Sequence, residues 1–236
     1  MIEGGKITAK GGLGAAGIGA AYEGKCGNIT ITGGNVTAKA SLQTGTGYIR
    51  HESVDFLGAA GIGAGFGKSC GYIAISGGKV TARGGKCAAG IGSGADSSSN
   101  SVCEGITITG GTVTATGGDY AAGIGAGDEF SARCGNITIT GGTVTAKGGQ
   151  GAAGIGCGLN SHCGNITISN SASVTATKGY ASPYSVGFGY NNVVGTPTCG
   201  TITIGDTKYY DGTTKTWVST DLENALKAET FTWPAP

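Results

Sequence analysis

Three short apolar motifs recur in the same order along the chain. An aliphatic residue precedes a Thr-Ala pair at Ile7, Val36, Val80, Val113, Val144 and Val174. An isoleucine lies between two glycines at Ile18, Ile62, Ile91, Ile124 and Ile155, and residues 185–189 form a decayed sixth copy. An Ile-x-Ile motif begins at Ile29, Ile73, Ile106, Ile137, Ile166 and Ile202. Apolar residues mostly alternate with Thr or Gly in these motifs, which predicts short strands with one buried face.

The motifs repeat with a nearly constant period. Subtracting the residue numbers of successive Thr-Ala motifs gives steps of 29, 44, 33, 31 and 30, so the second unit carries an insertion. Strands of three to five residues bury too little surface alone, so successive units must stack and share one core. The pattern therefore predicts an all-β fold, a single-stranded parallel β-helix (β-solenoid) of about six coils with three short strands per coil.

Glycine, with 51 copies, gives the chain a composition that is also typical of flexible low-complexity segments. The periodic Ile and Val favour a packed fold instead. Pairs such as Gly77-Gly78 separate one unit from the next, where a sharp turn requires positive φ. In the Gly-Ile-Gly motif we expect isoleucines to point inward and glycines to lie outside. The outer glycines either satisfy a tight backbone or form a flat platform for a polymer.

The repeat stops after Ile204, so we divide the chain into a β-helix, residues 1–204, and a C-terminal cap, residues 205–236. Residues 208–218 predict a hairpin around Asp-Gly. The next residues predict a short helix that ends near Lys227, with Glu223 in a capping box. Both tryptophans belong to this segment, which we expect to cover the last coil.

Composition excludes several functions. The net charge of +1 gives no basic field for nucleic acid, and no phosphate-binding loop occurs. Asp119, Asp128 and Glu129 share one coil and are interpreted as solvated loop charges, without a calcium-binding ladder. The sequence contains no apolar run long enough to span a membrane, so we expect no membrane insertion. The repeat begins directly after Met1 without a signal peptide, so we expect that the chain was cut from a longer precursor with preceding coils. The sequence predicts no cofactor and no catalytic residues.

Six of the eight cysteines occupy one repeat column: Cys26, Cys70, Cys103, Cys134, Cys163 and Cys199. Neighbours on adjacent rungs are close enough for disulfides, yet stacked free thiols also suit a buried column. The other two suggest intracoil disulfides, Cys87 with Cys103 and Cys157 with Cys163. A metal site is not predicted, because no Cys-x-x-Cys pair occurs and the two histidines are far apart in sequence. Abundant cysteine favours an oxidising exterior.

The insertion, residues 41–57, concentrates polar and aromatic groups in a chain that is otherwise poor in them. Its candidate ligand-binding residues are Tyr48, Arg50, His51, Glu52 and Asp55. As a binding lip it would stack Tyr48 on a sugar ring and use Arg50 and the acids for hydroxyls or a carboxylate. Two alternatives stay open, a tolerated surface loop and an acid–base pair of His51 with a carboxylate.

Two outward ladders offer surfaces. The first-strand motif ends in Lys10, Lys39, Arg83, Thr116, Lys147 and Thr177, of which four are cationic. This stripe is suited to an acidic polysaccharide, although exposed lysines also keep a strand soluble. Thr-x-Thr rungs on the third strand suggest an ice-binding array, but Ala74, Ser169 and Gly205 interrupt it.

The recurring Gly-Gly-x-Val-Thr-Ala-x-Gly-Gly-x-x-Ala-Ala-Gly-Ile-Gly, followed by Cys-Gly-Asn-Ile-Thr-Ile, resembles the repeat of large cell-surface proteins of Gram-positive, often gut-dwelling, bacteria. Many are described as β-helix or carbohydrate-binding-domain proteins. The resemblance covers Gly4 to Ile204. It implies a right-handed β-helix within a multidomain envelope protein, and it transfers no catalytic residue.

The function expected from these observations is a non-catalytic module of a secreted or cell-surface bacterial protein. Its expected partners are a glycan or another cell-wall or host polymer, together with the other domains of the parent polypeptide. A passive stalk or adhesin spacer is the structural alternative. A polysaccharide lyase or hydrolase would require paired acids or bases converging on one face, for which the repeat supplies no position.

Overall fold

The computed structural model describes residues 1–22, 24–42, 45–49, 52–56, 58–95, 101–128, 132–190 and 198–234, with the backbone alone for 45–49 and 52–56. This part of the chain is nearly all β, with one short α-helix near the C-terminus. Its strands stack as parallel coils, which confirms the predicted β-solenoid.

Every coil contributes strands to the same three faces. The first three coils contain β1 (Lys6–Lys10), β2 (Ile18–Gly19), β3 (Ile29–Ile31); β4 (Asn35–Lys39), β5 (Gly45–Ile49), β6 (Glu52–Phe56), β7 (Ile62–Gly63), β8 (Ser69–Ile75); and β9 (Lys79–Arg83), β10 (Ile91–Gly92), β11 (Val102–Ile108). The next three contain β12 (Thr112–Thr116), β13 (Ile124–Gly125), β14 (Arg133–Ile139); β15 (Thr143–Lys147), β16 (Ile155–Gly156), β17 (His162–Cys163), β18 (Ile166–Ile168); and β19 (Ser173–Thr177), β20 (Val186–Gly187), β21 (Ile202–Ile204). The cap contains β22 (Thr207–Asp211), β23 (Thr216–Trp217), helix α1 (Thr220–Lys227) and β24 (Thr230–Trp233).

Three parallel sheets correspond to the three sequence motifs. The strand orders are β1-β4-β9-β12-β15-β19, β2-β7-β10-β13-β16-β20 and β3-β8-β11-β14-β18-β21. Six rungs are therefore present on each face, and about five full turns separate the first rung from the last. Val36 lies opposite Val80, and Ile62 lies opposite Ile91. Equivalent aliphatic residues of successive units thus stack in register along the inside of the coil.

The core is a set of these aliphatic columns. The second isoleucine of the third motif is almost fully buried in all six coils: Ile31, Ile75, Ile108, Ile139, Ile168 and Ile204. Each fully buried isoleucine side chain contributes about 1.5–3 kcal/mol relative to an exposed one. Because each column spans all coils, the hydrophobic effect holds together units that would not fold singly.

Of the two alternatives for the glycine after each core isoleucine, a tight backbone or an open platform, the structure favours the tight backbone. Gly63, Gly92, Gly125 and Gly156 are buried. Gly92 has φ +137, and a Cβ built there would collide with the carbonyl oxygen of Gly125 in the next coil. The motif therefore requires glycine for two reasons. Successive rungs lie too close together for any side chain to fit, and the positive φ is one that L residues rarely adopt.

Asparagine side chains link consecutive coils just before the third face. Asn136 Oδ1 accepts a hydrogen bond from the backbone N–H of Asn165 at 2.9 Å, and Asn165 Oδ1 accepts one from the backbone N–H of Thr201 at 2.9 Å. Asn28 Oδ1 accepts from the N–H of Tyr72 in the same way. The asparagines of the Cys-Gly-Asn motif thereby satisfy backbone donors beside the parallel ladder.

The insertion forms a two-stranded antiparallel hairpin from β5 and β6. Its backbone pairs Tyr48 with Ser53, Ile49 with Glu52 and Thr46 with Asp55. The extra length of the second unit therefore leaves the coil as one hairpin and returns to it before β7.

The C-terminal segment closes two of the three faces. Strand β22 pairs antiparallel with β21, and β24 pairs antiparallel with β19. These pairings occupy backbone groups that the last parallel rung would otherwise leave open. Trp217 packs between Tyr184 and Tyr210, with ring centroids 4.9 and 5.1 Å away, so aromatic rings fill the space under the cap. Strand β24 was not predicted from the sequence.

The short helix begins where expected, but its capping differs from the prediction. Ser219 Oγ accepts a hydrogen bond from the N–H of Leu222 at 3.3 Å. The helix starts at Thr220, which places Glu223 one residue too late for a capping box. The Glu223 carboxylate instead accepts a hydrogen bond from the hydroxyl of Tyr184.

Candidate functional site

The cationic side chains at the ends of the first-face strands lie side by side. Lys10 is opposite Lys39, and Lys39 is opposite Arg83. All three are exposed. Thr116 occupies the fourth rung and separates this group from Lys147 on the fifth. The structure thus brings three of the four predicted cations together at the rung spacing of about 4.8 Å and places the other apart.

These three cations border a pocket with a volume of about 270 Å³. Ala40, Ser41 and Leu42 complete its lining. Ser41 and Leu42 are the first residues of the insertion, so the stripe and the insertion, predicted as separate candidates, meet at one place. The sequence did not single out Leu42, whose side chain is 57% exposed and adds an apolar wall.

The pocket concentrates positive charge that no described side chain neutralises through an ion pair. Within the described residues, Lys10, Lys39 and Arg83 have no ion-pair partner, and ion pairs are found in the cap, between Lys208 and Asp211 and between Lys227 and Glu223. Like charges on directly opposed strand positions repel one another. An anionic group bound between them would relieve this repulsion and gain attraction from several cations at once.

The polar residues predicted in the insertion fall largely outside the described residues. Arg50 and His51 are not described, and for Tyr48, Glu52 and Asp55 the backbone alone is described, within β5 and β6. Their roles in ligand binding therefore stay predictions. Their connection to the cationic pocket rests on the sequence, in which β5 begins three residues after Leu42.

The cysteine column is continuous along the third face. Each pairing joins neighbours: Cys26 with Cys70, Cys70 with Cys103, Cys103 with Cys134, Cys134 with Cys163, and Cys163 with Cys199. All eight cysteines are free thiols, and seven are buried. Within the column, hydrogen bonds from the thiols of Cys134 and Cys70 lower the pKa of Cys103, whereas the hydrogen bond to Cys103, followed by burial, raises the pKa of each partner.

The structure places Cys87 and Cys103 in different clusters and does not pair them. Cys103 belongs to the main core, whereas Cys87 packs with Phe66 and Ala95 in a separate cluster. Burial, followed by the charge of Asp128, raises the pKa of Cys87 to about 12. Asp128 itself is only 5% exposed, so it is not the solvated loop charge that the sequence suggested. The two cysteines share a coil but lie in different parts of it.

Cys157 and Cys163 do meet, and a third thiol joins them. The Sγ atoms of Cys157 and Cys163 are 2.8 Å apart, and those of Cys163 and Cys199 are 3.3 Å apart. Burial raises the pKa of the Cys157 thiol, but hydrogen bonds from Cys163 and Cys199 outweigh burial and hold it below its ordinary value. Sequence spacing missed this group because Cys199 lies 36 residues beyond Cys163 and only the coil brings it back.

A second pocket, with a volume of about 300 Å³, lies over this part of the column. Its lining includes Glu104, Arg133, His162, Cys163 and Thr198. Thr198 donates its backbone N–H to His162 Nδ1 at 3.2 Å, and its hydroxyl lies 2.8 Å from the same nitrogen. His162 Nδ1 is therefore an acceptor, and a proton on the imidazole belongs on Nε2.

None of the helices in the described part of the chain has the length and apolar character that a membrane-spanning helix requires. Comparison with curated proteins and with solved structures gives no match. A family model described as a beta helix repeat matches residues 1–22, 29–66, 73–95, 106–128 and 137–159. These segments cover more than half of the chain and correspond to successive coils. The chain therefore belongs to the beta helix repeat family.

Proposed function

We propose that this chain is a non-catalytic surface module of a larger secreted bacterial protein and that it binds an acidic polysaccharide of a cell envelope or host matrix. The pocket lined by Lys10, Lys39 and Arg83 would hold carboxylate or sulfate groups of the polymer. The adjoining hairpin would form one wall of the site, with Tyr48 available for stacking on a sugar ring.

The observation that carries the proposal is the register of the three cations. Each belongs to a different coil, so no local sequence feature groups them, and no described acid neutralises them. A rigid ladder holds charges at fixed intervals and thereby lowers the entropy cost of binding a repetitive ligand. Several weak contacts along one polymer chain then add up through multivalency.

The test compares binding to an acidic polysaccharide, polygalacturonate, with binding to a neutral one, dextran, at low and at high salt. The double variant Lys39→Gln/Arg83→Gln removes two cations from the pocket. Its matched control, Lys6→Gln/Lys79→Gln, removes two exposed cations from the opposite ends of β1 and β9. Tyr48→Ala tests the hairpin separately.

We expect the wild type to bind polygalacturonate but not dextran, with an affinity that falls as salt screens the charges. The pocket double variant should bind about tenfold more weakly, because the loss of two surface ionic contacts should cost about 1.4 kcal/mol of binding free energy in total. The control double variant should bind like the wild type. If both double variants lost the same affinity for polygalacturonate, the binding would depend on the overall charge of the protein and not on the pocket. Absence of binding in the wild type at low salt would reject the proposal and favour the passive stalk.

A further inference from the structure

Three thiols converge inside the fifth and sixth coils. The Sγ atoms of Cys157, Cys163 and Cys199 all lie within 4.8 Å of one another, and all three residues are buried. Cys163 and Cys199 are neighbours in the cysteine column. Cys157 approaches from another face, because it directly follows β16, where the chain leaves the second sheet.

The position of Cys157 is individual to its coil. In the other five coils the residue that follows the Ile-Gly or Val-Gly strand is Ala20, Ala64, Ser93, Ala126 or Phe188. The fold therefore needs no sulfur at this place, and alanine fills it in three coils. Cys157 is the one cysteine outside the column that contacts two thiols of the column. The repeat alone therefore does not account for this group of three thiols.

We propose that Cys157, Cys163 and Cys199 form a binding site for a thiophilic divalent cation, Zn(II), held by three thiolates. The proposal is independent of polysaccharide binding, which uses a different face. Soft sulfur ligands select such ions, and a three-ligand zinc site keeps its fourth position open to water.

The distances require only a modest adjustment. Zn–S bonds of about 2.3 Å at tetrahedral angles place sulfurs about 3.8 Å apart. The pair Cys157–Cys163 must therefore open by about 1 Å, and the pair Cys163–Cys199 by about 0.5 Å, changes within reach of side-chain rotation. Three thiolates around a divalent cation leave one net negative charge in the core. A monovalent ion would leave two, which burial disfavours more strongly.

The second pocket lies next to the thiol group, and Cys163 belongs to both. Because Cys163 is only 6% exposed, an ion would have to enter through a local opening of the coil. His162 does not serve as the fourth ligand, because its Nδ1 accepts hydrogen bonds from Thr198. It also lies on the opposite side of strand β17 from Cys163, since successive side chains of a strand alternate.

The experiment uses Co(II), a spectroscopic substitute for Zn(II), titrated into the fully reduced protein without oxygen. We expect one equivalent to bind with thiolate-to-cobalt charge-transfer absorption and tetrahedral visible bands, and one equivalent of Zn(II) to remove both. Cys157→Ala restores the residue of neighbouring coils and should abolish the absorption. Cys103→Ala, which removes a column thiol elsewhere, should leave it unchanged.

Thermal unfolding gives a second readout. Zn(II) should raise the melting temperature of the wild type and of Cys103→Ala but not that of Cys157→Ala, because a ligand of the folded state stabilises only proteins that bind it. If Cys157→Ala does not fold, Cys199→Ala takes its place. Lack of cobalt absorption in the reduced wild type overturns the proposal. Retention of the absorption in Cys157→Ala also overturns it.

Discussion

The hydroxyl of Tyr184 donates a hydrogen bond to Glu223 Oε1 at 2.7 Å and so joins the sixth coil to the C-terminal helix. Glu223 also pairs with Lys227 one turn later, at 2.9 Å. Tyr184 contacts the ring of Trp217 as well. This small group is one of several polar attachments of the cap; Ser185 Oγ, for example, donates a hydrogen bond to the carbonyl oxygen of Leu226 at 2.9 Å.

Tyr184→Phe removes the hydroxyl and keeps the ring. We expect the free energy of unfolding to fall by about 1 kcal/mol, since the lost hydrogen bond has a charged acceptor but lies partly in solvent. Urea denaturation followed by tryptophan fluorescence measures the change, because Trp217 reports on the cap. Tyr180→Phe, at an 85% exposed tyrosine of the same coil, is the control and should unfold like the wild type.

The same contact makes the cap sensitive to acid. The hydrogen bond from Tyr184, and then Lys227, lowers the pKa of Glu223 below its usual value. Its stabilisation is therefore complete above the ordinary carboxyl pKa of about 4.3 and is lost as the pH falls through the lowered value. In Glu223→Gln this acid-dependent loss should be smaller. Identical pH profiles for the variant and the wild type between pH 5 and 2 would contradict this assignment.

Gly92 tests the reason for the second-face glycines. Alanine at this position combines φ +137 with a collision against Gly125 O, so we expect Gly92→Ala to destabilise the fold by more than about 3 kcal/mol or to prevent folding. Gly12→Ala is the matched control, because no atom lies within 4 Å of its added Cβ. It should change stability by less than about 0.5 kcal/mol. Equal stability of both variants in chemical denaturation would show that close rung packing is not the constraint.

The periodicity of the sequence was sufficient to predict the coil, but it was not sufficient to predict which residues of different faces are in contact. Val36 and Val80 could be aligned because each repeats at a fixed place in its unit, and a parallel ladder preserves that alignment. The meeting of Cys157 with Cys199 depends on the cross-section of the coil, which no linear period encodes. Strand β24 was missed because it pairs antiparallel to β19 and carries no repeat motif. Likewise, the role of the glycine face stayed open between a tight backbone and a platform, because a sequence pattern does not give the distance between rungs.

Asn136 provides a test of the side-chain links between coils. Asn136→Ala leaves the N–H of Asn165 without its acceptor, so we expect a loss of about 1 kcal/mol in the free energy of unfolding. Asn136→Asp keeps an oxygen acceptor in the same place and should retain most of the stability. Thermal and urea unfolding of the two variants distinguish them. A loss of equal size in both would assign the effect to packing and not to the hydrogen bond.

Thiol reactivity should follow burial and protonation along the chain. Alkylation requires the thiolate, and with a pKa of about 12 only about one Cys87 in ten thousand is ionised at pH 8. Cys26 lies on the first rung of the column and is the one partly exposed cysteine. Brief treatment of the native protein with iodoacetamide, followed by peptide mass spectrometry, should therefore label Cys26 first and Cys87 hardly at all. Denatured protein, in which both are accessible, should label them alike, whereas rapid labelling of Cys87 in the native protein would show that its cluster opens readily to solvent.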